Sequence, residues 1–112
     1  MTTVTPPREH VLVLCTYPDQ STARVVANDL VQQGLAACVN MSEPFRSIYA
    51  WKGELREDSE VQLTIKTRLD RIEDVASRLR ADHPYELPEI LYVPVGGVID
   101  FLKWIDQCTQ LA

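Results

Sequence analysis

Two β-patterned halves flank a Lys52-Gly53-Glu54 turn, and this unit limits the fold more than any other feature of the chain. The first half is Ala37-Cys38-Val39-Asn40-Met41 and, after a break at Ser42-Glu43-Pro44, Ser47-Ile48-Tyr49-Ala50-Trp51. In the second half Val61, Leu63 and Ile65 alternate with Gln62, Thr64 and Lys66, giving one apolar and one polar face. Such a β-hairpin is too long for a small sheet and outgrows it.

The elements around it alternate in type. Val11-Leu12-Val13-Leu14-Cys15, within His10–Tyr17, is an apolar run short enough for a buried strand. Pro18 stops it, Asp19 is placed to cap a helix, and Ala23, Val26, Ala27, Leu30 and Val31 form one helical stripe that Gly34 ends. After the hairpin, Asp70 and Glu73 have capping-box spacing ahead of a second stripe, Ile72, Val75, Ala76 and Leu79. Glu89–Val95 reads as the last strand, broken by Gly96-Gly97. Val98, Phe101, Leu102, Ile105 and Cys108 then mark a final helix that also carries Trp104. The order β-α-β-β-α-β plus an extra C-terminal helix predicts an α+β, ferredoxin-like antiparallel sheet with helices on one face. The other face needs a cover, and association of subunits supplies it most economically.

At 112 residues the chain is one domain on size. The domain is expected over residues 10–112, with the polar residues 1–9 as a short disordered tail without the pattern of a signal peptide. No apolar run reaches the ~20 residues of a membrane helix. Net charge is −5, and the basic residues form no cluster or aromatic-interleaved stripe, which disfavours nucleic acid as a partner. Three widely spaced cysteines, Cys15, Cys38 and Cys108, indicate neither a disulfide framework nor a zinc finger, and suit a reducing cytoplasm.

Chemistry concentrates in His83-Pro84-Tyr85-Glu86-Leu87-Pro88-Glu89. Two prolines fix φ and push His83 and Leu87 towards extended backbone, so an imidazole and a carboxylate stand at opposite ends of a stiff turn. That arrangement serves a divalent cation or a proton transfer. The plainer alternatives are His83 as a helix cap and Glu89 as a solvated charge or a partner of Lys66 or Arg68. Cys15 ends an apolar run, where a free cysteine often serves as a small hydrophobe. His10 belongs to no motif and reads as a surface-edge residue.

Five ordered motifs give the chain a resemblance: Leu14-Cys15-Thr16-x-Pro18-Asp19, Gly34-Leu35-Ala36-Ala37-Cys38-Val39-Asn40, Tyr49-x-Trp51-x-Gly53, Glu60 through Lys66-Thr67, and His83-Pro84-Tyr85-x-x-Pro88-Glu89. Together they resemble the CutA family over nearly the whole chain. Gly97 with Phe101-Leu102-x-Trp104-Ile105 is similar to its C-terminal helix, with Phe101 where the family carries tyrosine. The resemblance implies a ferredoxin-like homotrimer with hairpins pairing across subunits, linked to divalent-cation tolerance and copper in particular. It implies Cys15, His83 and Glu89 as copper ligands, no catalytic turnover, and leaves an unidentified protein partner open. The competing expectation is a PII-like trimeric signalling or scaffold module that binds a small molecule in the subunit clefts. A Cys15-His83-Glu89 triad enzyme ranks last, since no oxyanion-hole motif accompanies it.

Overall fold

The computed structural model describes residues 2–110; Met1 and residues 111–112, the outer ends of the expected tail and domain, lie outside the described residues. The elements run β1 (Val4–Tyr17), α1 (Gln20–Gln32), β2 (Cys38–Met41), β3 (Phe45–Trp51), β4 (Glu54–Arg68), a 3-10 turn (Leu69–Arg71), α2 (Ile72–Arg80), β5 (Leu91–Val98) and α3 (Ile99–Cys108). The sheet order is β2-β4-β1-β5, with β3 also paired to β4 and every pairing antiparallel. This is the expected ferredoxin-like α+β arrangement. β4 is long enough to serve two partners, Cys38–Met41 along its inner half and Phe45–Trp51 along its outer half.

Alternation decides which face is covered. Val11, Val13, Cys15 and Tyr17 of β1 and Val61, Leu63 and Ile65 of β4 are buried, together with Ala23, Val26 and Leu30 of α1 and Val75 and Leu79 of α2. A core residue such as Leu63, fully buried, contributes about 2–5 kcal/mol relative to alanine. Asp19 caps α1 as expected, accepting from the Thr22 N–H at 2.8 Å, and Gly34 ends it at φ +70°. α3 makes a smaller cluster, Leu102 and Ile105 against Ala37. Its C-terminal carbonyls are tied down by the buried Arg71, which donates to the Thr109 and Gln110 carbonyls at 2.9 and 3.1 Å.

Four local expectations are corrected. Residues 4–9 are strand, not disordered tail: Val4 and Thr5 pair with Val98 and Gly97, and the Ile99 N–H donates to the Thr3 carbonyl at 2.9 Å. Pro6-Pro7 cannot donate to a ladder, and the register shifts between Thr5 and His10 to accommodate them. Gly96-Gly97 does not end β5, because those glycines let the N-terminal arm pass close: a Cβ at Gly96 would lie 2.1 Å from the Thr5 carbonyl oxygen. Asp70 makes an ion pair with Arg68 and not a capping box, so a 3-10 turn precedes α2. His10 is buried and bonded to Asp106 at 2.8 Å, joining β1 to α3.

Gly96→Ala is therefore expected to destabilise the fold by about 1–3 kcal/mol, as overpacking does. Gly97→Ala is the control, since its Cβ would meet only Leu102 Cδ2 at 3.9 Å. Thermal unfolding of both variants checks this, and equal melting temperatures would show that the arm yields.

Candidate functional site

Side chains two apart on a strand share a face, so Cys15 and Tyr17 both point from the end of β1 into the helix layer. The connection after α2 then lays His83 across that end. It turns at Asp82, held at φ +60°, and the proline at position 84 keeps the backbone of His83 from continuing as helix. The His83 ring stacks on Tyr17 with centroids 4.4 Å apart and tilts against Tyr85 at 5.1 Å. His83 is not a helix cap: its Nε2 lies 3.0 Å from the Thr16 carbonyl and 3.7 Å from Cys15 Sγ.

These contacts fix the tautomer. The Tyr85 N–H donates to His83 Nδ1 at 3.1 Å, so the ring proton sits on Nε2 and is donated to the Thr16 carbonyl oxygen. Both ring nitrogens are thereby engaged by backbone. Burial lowers the His83 pKa and only partly loses to the Thr16 carbonyl, which favours the charged ring. Burial likewise pushes the Cys15 thiol up to about 12, outweighing the nearby Tyr17 hydroxyl, and the Glu89 charge adds to the rise. The pair is a neutral thiol beside a neutral imidazole.

Tyr17 was not legible as part of this site. Its hydroxyl is buried beside the Cys15 sulfur, in a contact too poorly directed to be a full hydrogen bond, and burial followed by the Cys15 thiol raises its pKa. The only signal in the sequence was its i, i+2 spacing from Cys15.

Glu89 stands at the outer rim of this corner. Burial and then the Glu60 charge raise its pKa, and burial followed by a bond to Glu60 does the same for Tyr85. Tyr49 on β3 donates to Asp58. Arg68 is taken by Asp70, and the Lys66 ammonium lies over the Phe101 ring at 5.8 Å.

As a cation site this geometry fits in one edge and leaves another open. A sulfur and a nitrogen on one tetrahedral ion are roughly 3.5 Å apart for bonds near 2.3 and 2.0 Å, close to the 3.7 Å found here. Thiol and imidazole suit copper or zinc in kind. Among the described residues, however, no three His, Cys, Asp or Glu side chains are grouped closely enough to hold a metal ion, so Glu89 is not brought in with Cys15 and His83.

Residues 11–108 match the family described as CutA1 divalent ion tolerance protein. The chain is 42% identical over 97 residues to the divalent-cation tolerance protein CutA of Pectobacterium atrosepticum, covering 86% of this chain and 88% of that protein. It is 37% identical over 101 residues to the chloroplastic protein CutA of Arabidopsis thaliana, covering 89% and 56%. Among solved structures, CutA1 from Oryza sativa superposes with a TM-score of 0.89 at 29% identity, covering 96% of this chain and all of that one. The periplasmic divalent cation tolerance protein CutA from Archaeoglobus fulgidus superposes with a TM-score of 0.87 at 32% identity, covering 90% and 99%. Among the described residues no helix is long and apolar enough to cross a membrane.

Two outcomes follow from the site's ionisation. Cys15 is expected to resist iodoacetamide at neutral pH in the folded protein and to react once it is denatured; rapid native labelling, mapped by mass spectrometry, contradicts its burial. Below about pH 6.5 the unfolded chain takes up a proton that folded His83 refuses, so stability falls as pH drops from 6.5 towards the lowered native pKa. In His83→Gln the drop in melting temperature between pH 7 and pH 5.5 should shrink.

Proposed function

The chain belongs to the CutA1 family of divalent ion tolerance proteins, and on that premise we propose that it binds a divalent cation, copper foremost, without catalytic turnover. Cys15 and His83 are the paired donors, and Glu89, outside that pair, is the candidate for a third. The observation that carries this reading is the 3.7 Å between Cys15 Sγ and His83 Nε2. Thiolate, imidazole and carboxylate form a mixed set that suits copper over magnesium. A bound cation supplies the charge that makes Cys15 stable as a thiolate at this buried position. To offer a lone pair at Nε2, His83 has to carry its proton on Nδ1, and the bond from the Tyr85 N–H is then given up.

Absence of turnover is supported by the state of the pair. Nucleophilic catalysis requires a thiolate poised near neutral pH, whereas burial holds this thiol protonated and this imidazole neutral.

The protein works as a homotrimer in this reading. The support is the apolar surface a single chain leaves open: Leu91 and Val93 on β5, Ile48 and Leu55 on the hairpin, and Phe101 and Trp104 on α3 are all exposed. Hairpin arms pairing across subunits cover part of it. The compartment proposed is the cytoplasm, which suits the free thiols Cys15, Cys38 and Cys108.

Titration calorimetry with Cu(II) tests the ligands. Cys15→Ala and His83→Ala should each weaken binding by at least about a hundredfold, beyond what loss of an outer contact costs; parental affinity in both variants rejects the site. Light scattering should give three times the chain mass of 12.7 kDa, and a monomeric mass rejects the trimer.

A further inference from the structure

The N-terminal arm sits in a seat that only the arm explains. Residues 6–9 of β1 stand opposite Gly96 alone, so the ladder to β5 is interrupted there and resumes outward as the pairs Thr5–Gly97 and Val4–Val98. Gly96 lies outside the left-handed region, so its own backbone does not call for glycine. The crossing calls for it: a Cβ there would come 2.1 Å from the Thr5 oxygen, 2.7 Å from the Pro6 carbonyl carbon and 2.8 Å from the Pro7 nitrogen, all of them backbone atoms that cannot swing aside. The same crossing carries Thr3 to the start of α3. Val98, at the N-cap position, has no side-chain acceptor, and the Thr3 carbonyl takes the Ile99 N–H at 2.9 Å in its place.

We propose that residues 3–7 are a releasable strap: seated on Gly96, they hold the first turn of α3 and with it Phe101 and Trp104 for contact with another copy of the chain; lifted, they loosen that turn and weaken assembly. The link to assembly rests on the homotrimer reading. The strap is held by two ladder pairs and one capping bond, and Val4 and residues 6–9 are exposed. It therefore opens at less cost than β1 from His10 onward, which is bonded along both edges. The C-terminal half of α3 is held separately, Asp106 by His10 and the last carbonyls by Arg71. At its N-terminal half the inward packing is the small cluster of Leu102 and Ile105 with Ala37, while the Phe101 and Trp104 rings, 5.4 Å apart, remain exposed. The strap thus supplies the hold at the end of the helix where packing is thinnest.

The test removes residues 2–7 and introduces Gly96→Ala, each alone and both together, with amide exchange read by mass spectrometry and assembly by light scattering over a dilution series. Without the strap, exchange across residues 99–105 is expected to quicken by at least about tenfold while that of residues 23–30 and 61–65 stays parental. The trimer should then dissociate at a protein concentration at least about tenfold higher than the parent's. Gly96→Ala should lower the melting temperature of the full chain and leave that of the shortened chain unchanged, because both changes act through one contact. Parental exchange at residues 99–105 in the shortened chain overturns the strap, and so does exchange that quickens equally in every element, which makes the arm a part of general stability. An effect of Gly96→Ala that is the same in both chains shows that the glycine does not serve the arm and overturns the seat. Faster exchange at residues 99–105 with parental dissociation overturns the link to assembly. A parent that is monomeric at every concentration rejects the trimer reading instead, and exchange at residues 99–105 still decides the strap.

Discussion

Strand β1 is hydrogen-bonded along both edges, to β4 from His10 through Tyr17 and to β5 from His10 through Leu14. Its register therefore fixes two things together. Val11 and Val13 enter the core on the same face that carries Cys15 and Tyr17 to the corner where His83 lands. A slip of one residue would turn all four outward and replace them with Leu12, Leu14 and Thr16. The hydrophobic packing of α1 and α2 is thus what holds the thiol and the phenol in place, and the site needs no separate device to define its depth.

The fold was legible where periodicity was strong. The apolar stripe of α1, the alternation of Val61, Leu63 and Ile65, and the turn at Lys52-Gly53 each translate into the element they imply, because side-chain period is a local property. The misread segments are those where a distant segment overrides local chemistry. Gly96-Gly97 reads as a break by itself and becomes ladder only because Thr5 comes to lie across it. His10 reads as an edge residue until α3 brings Asp106 to it.

At the site, motif and proline spacing located His83 and Cys15 but could not reveal what occupies the imidazole. The tautomer is set by one backbone amide, that of Tyr85, and one backbone carbonyl, that of Thr16, and backbone groups leave no trace in composition. Tyr17 escaped for a related reason. Its importance lies in its contacts with Cys15 and with the His83 ring, which exist only once every neighbour has been placed. Glu89 was found by spacing and then left outside the pair, since a stiff turn fixes direction without guaranteeing reach.

The long strand β4 is one piece of chain living under two regimes. From Val61 to Arg68 it is flanked by β1 on one side, for part of its length by β2 on the other, and its alternate side chains are buried. From Glu54 to Glu60 it has β3 alone, and the side chains of the arm are largely exposed along a body 51 Å in its longest dimension. With one partner strand and exposed side chains, the outer half has fewer buried contacts to hold it than the inner half. The junction near Glu60 is then a mechanical boundary, with a stiff root and a compliant arm. A contact made on the arm from outside therefore acts on the singly paired part of the strand and meets the core, with Cys15 and Tyr17 in it, only through the root.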